Sequence, residues 1–295
     1  MSRYCGREFT TEDMDRIREI IANTADYPHR EAIARAVCDA LHWFRPDGGL
    51  KTMSCKVALL RMHRQGEITL PPPTRKQPRP RSHHTAAAEP QIPVVGSRGM
   101  LRDLQLVQPS GLPQSRLWNE LMQRYHYLGY QPLPGAQLRY FIYGDGLLLG
   151  ALGFGAAAWK VAPRDHFIGW STAQREQRLH LIVNNARFLV LPWVSVRYLA
   201  SSILALAAKQ LPDDWQARYA YRPLLLETFV ECPRFSGTCY RAANWTLVGQ
   251  TQGRGKLDRL HLHDQPVKDI YLYPLHRHFR QALCADLTDQ PNSLG

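Results

Sequence analysis

The chain has 295 residues, and its 37 Lys and Arg outnumber 25 Asp and Glu to leave a net charge of +12. That length allows one large or two modest domains, each with a real core, and the cationic surplus points to nucleic acid before other partners. No apolar run approaches the roughly eighteen residues of a membrane span, and MSRYCGREFTTED has no signal-peptide core, so a cytoplasmic, DNA-facing protein with no membrane partner is expected.

In chain order, Thr10/Thr11 caps a first helix with Met14, Ile17, Ile20 and Ile21 on one face. A second helix is expected over His29–Trp43. After the turn cluster Pro46-Asp47-Gly48-Gly49, a third runs over Leu50–Arg64, apolar at Met53, Val57 and Leu60, with Leu59 a further candidate, and stopped by Gly66. Glu67–Leu70 reads as a short strand. Three helices and a strand outline a winged helix-turn-helix over residues 1–70. Lys51, Lys56, Arg61, His63 and Arg64 lie on the outer surface of the third helix, suited to DNA; a small bundle with a solvated basic face fits the same pattern.

Residues 71–93, PPPTRKQPRPRSHHTAAAEPQIP, are rich in Pro and basic residues and poor in large apolar ones, which reads as an inter-domain linker. Arg75, Lys76, Arg79 and Arg81 within it can follow a phosphate backbone. Residues 94–295 then alternate elements. A helix spans Ser115–Tyr127, strands Gln137–Tyr143 and Leu147–Gly155 flank a Gly144-Asp145-Gly146 hairpin turn, and further strand segments flank a break between Asn185 and Arg187. A long apolar helix follows over Val196–Leu211, then a buried strand over Arg222–Val230, a short helix, and strands at Trp245–Thr251 and Asp269–Tyr273. The fold class expected is α+β, with a helical N-terminal domain and a mixed α/β C-terminal domain.

The chemistry concentrates in Leu224–Lys256, where a buried strand ends in Glu227 and the turn Gly253-Arg254-Gly255-Lys256 offers N–H groups and cations to phosphate, with Arg259 nearby. A desolvated carboxylate at a strand end serves as general base or metal ligand; a buried glutamate paired with Arg187 or Arg241 has the same signature. His126 serves as acid/base partner or ligand, or only stabilises a helix C-terminus. His261, His263, Asp258 and Asp264 match no standard metal spacing. The six scattered cysteines form no C-x-x-C, which favours reduced thiols.

Several separated stretches carry a resemblance to a known family: His126-Tyr127-Leu128-Gly129, Gly150–Gly155, Asn184-Asn185 with Arg187–Trp193, Glu227–Gly253, and Cys38–Leu70. Together they resemble the DruA family of Druantia anti-phage systems and transposon-associated reading frames. The C-terminal part is more distantly similar to the GNAT acyltransferase fold, and in particular to Mom-like DNA-modifying proteins. That likeness rests on Glu227, Gly237-Thr238-Cys239-Tyr240 and Asn244-Trp245. It implies a site in which Glu227 and His126 act, with Tyr240 and Asn244 shaping the pocket. Arg197–Ser202, where GNAT enzymes carry a glycine-bearing pyrophosphate turn, has no glycine, which argues against acetyl-CoA; a divalent metal stays open.

The function expected is a DruA-type DNA-binding protein of anti-phage defence or mobile elements, acting on or recognising DNA alongside other defence proteins. Two alternatives stay open. One is a metal-dependent nuclease or transposase using Asp145, Asp165, Glu227 and Asp258; the other is a non-catalytic recognition subunit.

Overall fold

The computed structural model describes residues 2–46, 48–73, 84–253 and 266–285. The chain divides into two compact units, Met1–Arg81 and Ser82–Gly295.

In the first unit an antiparallel hairpin, β1 (Ser2–Tyr4) and β2 (Arg7–Phe9), precedes α1 (Thr11–Ala22), α2 (Arg30–Ala40) and α3 (Thr52–Arg64). Thr10 and Asp13 form the reciprocal capping box that starts α1. The His29 side chain accepts from Ala32 N–H to start α2. Gly66 sits at φ 77° just past α3, where a left-handed residue costs glycine nothing.

Two expectations fail here. Of the inward residues expected on α3 only Leu59 is buried, in a stripe with Cys55, Ala58 and Met62, while Met53 and Val57 are 65% and 41% exposed. Both stripes are apolar at helical spacing. The one with small residues wins because Cys55 and Ala58 share a core with Ala34, Val37 and Cys38 of α2, and small side chains let two helices approach. Glu67–Leu70 forms no strand: a strand needs a partner, and β1 and β2 pair with each other. The segment is instead held at His63, whose Nδ1 lies 3.2 Å from Ile68 O and 3.4 Å from Leu70 N.

The second unit is a mixed α/β layer structure. Its elements are β3 (Val94–Ser97), β4 (Leu104–Val107), α4 (Gly111–Tyr125), β5 (Gln137–Gly144), β6 (Leu147–Ala156), α5 (Ala162–Ile168), α6 (Thr172–Arg178), β7 (Ile182–Val190), β8 (Val194–Arg197), α7 (Leu199–Tyr219), β9 (Leu225–Glu231), α8 (Thr238–Ala242), β10 (Thr246–Gln250), β11 (Lys268–Pro274) and α9 (Phe279–Leu283). Seven strands form one sheet in the order β10-β11-β9-β7-β6-β5-β4, and β3 pairs with β8 in a separate parallel pair. The Asp145-Gly146 turn has both residues at positive φ, as a tight hairpin demands. Asp145 Oδ1 also accepts from Arg102 and Asp103 N–H.

The break expected between Asn185 and Arg187 is a bulge. β7 is continuous, and its register against β6 shifts where Gly153 pairs with Arg187 and Phe154 with Asn185, leaving Ala186 unpaired. The long helix is longer than expected. It runs through Pro212, because burial of Leu211 and Trp215 on either side outweighs the one lost backbone donor.

Every neighbouring pair in the large sheet is antiparallel except β7 with β9, joined through α7. That parallel pairing covers Ile182↔Leu225, Val183↔Leu226 and Asn184↔Glu227, and ends there. Beyond it the two strands no longer pair with each other, which opens a wedge in the middle of the sheet.

Candidate functional site

A cavity of about 670 Å³ occupies the wedge. β7 contributes Asn185, Arg187 and Phe188, β9 contributes Thr228 and Val230, and α8 contributes Tyr240; His126 and Tyr127 close it from the end of α4. Among the described residues, none of its lining side chains is an Asp or Glu.

At the apex Tyr240, Asn185 and Thr228 are linked by hydrogen bonds, while Asn184 Oδ1 is buried with no partner among the described residues. Tyr240 Oη donates to Asn185 Oδ1 at 2.8 Å, and Thr228 Oγ1 donates to Asn185 O at 3.0 Å. Asn185 Nδ2 in turn donates to Arg187 O at 3.2 Å. Burial pushes the Tyr240 phenol well above its ordinary range, so it keeps its proton and donates it to Asn185 Oδ1. Gly237, at φ 66°, starts α8, and a Cβ there would stand 2.4 Å from Tyr271 Oη.

His126 caps the C-terminus of α4. Burial first, then the charges of Arg187 and Arg234, push its pKa down to about 4. The ring is therefore neutral at pH 7, and its Nδ1 accepts Leu128 N–H at 3.2 Å. A neutral imidazole with Nδ1 accepting carries its hydrogen on Nε2, so His126 enters the site as a donor.

Arg187 is half-buried on the cavity wall, and burial lowers its pKa. Its Nη1 donates to Ala186 O at 2.7 Å, and among the described residues it meets no carboxylate. Arg234 lies with its guanidinium 4.9 Å from the Tyr127 ring centroid and 5.6 Å from that of Phe235. Phe235 meets Tyr127 edge-on at 5.1 Å, and Lys268 adds a further cation to the lining.

Glu227 is elsewhere. Its Oε1 accepts Ala158 N–H at 2.8 Å, its Oε2 accepts Arg164 Nη1 at 2.8 Å, and both side chains are fully buried. Burial pushes the carboxyl up while Arg164 pulls it down. Arg164 also donates to Asp165 Oδ1 from Nε at 3.0 Å and from Nη2 at 2.8 Å. The partner is thus Arg164 and neither Arg187 nor Arg241; Arg241 donates to Ser236 O and Tyr271 Oη. With both oxygens engaged, Glu227 forms no hydrogen bond with His126 and does not line the cavity.

Of the expected site residues, His126 and Tyr240 meet in the cavity. Asn244 is exposed at φ 63° just past α8, where it turns the chain into β10, and it does not line the cavity. Asp165 and Glu227 come together around Arg164, and Asp145 sits in a hairpin turn. Among the described residues no three His, Cys, Asp or Glu side chains are grouped to hold a metal ion. The turn before α7 has Tyr198 at φ 65°, and Ser201 Oγ is turned back onto Tyr198 O at 3.1 Å. Ala200, Ser201 and Ser202 all carry Cβ atoms there, so this turn does not match the glycine-bearing cradle that holds the pyrophosphate of acetyl-CoA.

Lys51, just before α3, is half-buried with its pKa lowered by burial; on α3, Lys56 is ion-paired with Glu31, and Arg61 and Arg64 are exposed. Arg75, Lys76, Arg79, Arg81, Arg254, Lys256, Asp258, Arg259, His261, His263 and Asp264 lie outside the described residues. Arg187 was expected as a partner for Glu227 and within the Arg187–Trp193 stretch of the family likeness, and Arg234, Phe235 and Lys268 had no expected role at the site. The available signal was the pair Arg234-Phe235, a cation beside an aromatic just before the glycine that starts α8.

No curated protein matches this chain in sequence. Among solved structures it is similar to the ribosomal-protein-S18-alanine N-acetyltransferase of Escherichia coli, at 10% identity and a TM-score of 0.36, over 59% of this chain and 94% of that one. It is also similar to the polyamine N-acetyltransferase of Drosophila melanogaster, at 10% identity and a TM-score of 0.37, over 58% of this chain and 100% of that one. The Cys38–Leu70 stretch expected to share in the family likeness lies outside the residues that match a family profile. That profile, of the family described as Druantia protein DruA, matches residues 73–265, more than half of the sequence, and the chain belongs to the DruA family.

Proposed function

We propose that this protein is a DNA-engaging component of a Druantia-type anti-phage system, working in the cytoplasm alongside other defence proteins. The observation that carries the reading is the charge of the cavity: among the described residues, Arg187 stands half-buried on its wall without a carboxylate and no acid lines it. A guanidinium that has lost hydration without gaining a counter-ion is set to take an anion. The net charge of +12 extends the same preference over the whole molecule. In the first unit, the exposed Arg61 and Arg64 of α3 supply further phosphate contacts.

The geometry supports gripping and orienting DNA more than cutting it. The carboxylate best placed by sequence for metal or base chemistry, Glu227, is committed to Arg164.

The test is binding of a labelled duplex by fluorescence anisotropy across a salt series. Arg187→Gln should weaken binding and reduce the slope of log affinity against log salt by about 0.9, the value for one phosphate contact in B-DNA. An unchanged slope and affinity would show that the cavity does not meet DNA.

A further inference from the structure

The charge of the cavity says that its ligand is anionic, and the rest of its lining narrows the ligand further, on the footing that the protein engages DNA. Beside Arg187 the wall is apolar and aromatic, built from Phe188, Val190, Val230 and the Tyr240 ring. Phe235 lines the same cavity with 45% of its surface exposed. That phenyl ring is braced edge-on by Tyr127 and carries the Arg234 guanidinium at 5.6 Å. An exposed aromatic braced in this way, carrying one guanidinium and sharing its cavity with that of Arg187, matches how proteins hold an unstacked base together with its phosphate. The volume, about 670 Å³, falls within the range of pockets that enclose one small-molecule-sized ligand. A base still paired within a duplex does not enter a pocket of that kind; a single nucleotide does.

We infer that the cavity receives one nucleotide unit, its phosphate beside Arg187 and its base against Phe235. His126 contributes a neutral Nε2–H donor to the same ligand, since its Nδ1 is held by Leu128 N–H. Two sources supply this chemistry: a free nucleoside monophosphate, or a nucleotide turned out of a DNA strand.

The experiment uses the full-length protein and two kinds of probe. In the first arm, isothermal titration with each of the four deoxynucleoside monophosphates is compared with inorganic phosphate and with coenzyme A. At least one monophosphate should bind about tenfold or more tightly than phosphate. Phe235→Ala should lower that affinity about tenfold and leave phosphate binding unchanged, whereas Arg187→Gln should weaken both. Phosphate binding as well as every monophosphate, or coenzyme A binding where none of them does, would overturn the inference. So would a Phe235→Ala protein that binds like the parent. Phe235 is exposed, so its variant should keep the parent melting temperature, which circular dichroism checks.

In the second arm, a duplex with one unpaired nucleotide is compared with the fully paired duplex. A preference of about tenfold for the unpaired site, lost in Phe235→Ala, identifies the strand as the source. Monophosphate binding without that preference identifies the free nucleotide. Duplex binding that is equal at both sites, with no monophosphate binding, removes the inference and leaves the DNA reading standing. Monophosphate binding with no affinity for any DNA removes the DNA reading and leaves a nucleotide site.

Discussion

Arg164 Nη1 donates to Glu227 Oε2 at 2.8 Å in a pair with no solvent access to either side chain. Glu227 lies on β9, and Arg164 comes 63 residues earlier, on α5. Ala158 closes the arrangement, giving its N–H to Glu227 Oε1 at 2.8 Å and its carbonyl to Arg164 Nη1 at 2.7 Å. The pair therefore ties the loop between β6 and α5 to β9.

Removing Glu227 leaves the Ala158 N–H and the buried Arg164 Nη1 without this acceptor while Asp165 still pairs the guanidinium charge, which costs about 1–3 kcal/mol. Glu227→Ala should lower stability by about that amount, measured by urea unfolding followed by tryptophan fluorescence. Any loss of DNA binding should follow the fraction unfolded. Full stability combined with lost binding would instead return Glu227 to the functional site.

The depressed pKa of His126 gives a pH dependence with a definite sign. Above the ordinary value near 6.5 the ring is neutral in both folded and unfolded chains. Between 6.5 and about 4 the unfolded chain holds the extra proton and the folded one does not, so stability is lost as pH falls through that window. Urea midpoints measured from pH 7 to pH 4 should decline, and His126→Gln should decline less steeply. An identical slope in the variant would mean that the ring titrates normally. DNA binding between pH 6.5 and 8 should show no inflection from this residue.

Tyr240→Phe keeps the ring and deletes the hydroxyl that satisfies Asn185 Oδ1. Leaving a buried acceptor unpaired costs about 1–3 kcal/mol. The melting temperature should drop accordingly, and the double variant with Asn185→Leu should recover part of it. Failure of the second change to recover any stability would show that the two side chains are not coupled.

The cations of α3 differ in availability. Lys56 is paired with Glu31 at a partly exposed position, worth about 0–1 kcal/mol, so Lys56→Ala should change stability little and the salt slope of DNA binding little. Arg61→Ala with Arg64→Ala should flatten the slope by up to about 1.8 if both meet phosphate in a duplex. Equal slopes in all three proteins would leave DNA to the second unit alone.

What the sequence determined by itself is what a few neighbouring residues can enforce. Thr10 with Asp13 starts α1, Asp145-Gly146 closes the β5–β6 hairpin, and Gly66 ends α3, because caps and tight turns are satisfied within one turn of chain. The cationic bias and the family likeness over residues 73–265 were legible for the same reason: each is a property of the string of residues.

Only the tertiary structure decided which apolar stripe of α3 faces inward, since two stripes had helical spacing and the choice depended on the small residues meeting α2. Only it chose Arg164, out of several arginines, as the partner of Glu227. Only it separated Glu227 from His126, and turned Arg187 from a partner for an acid into a cation on a cavity wall that meets no carboxylate among the described residues. The outcomes at Glu227 and Arg187 depend on the parallel step from β7 to β9 through α7, on its ending at Asn184 and Glu227, and on the bulge at Ala186. Register across a sheet sets which side chains share a face, and it is fixed by packing between segments far apart in the chain, where local pattern carries no information.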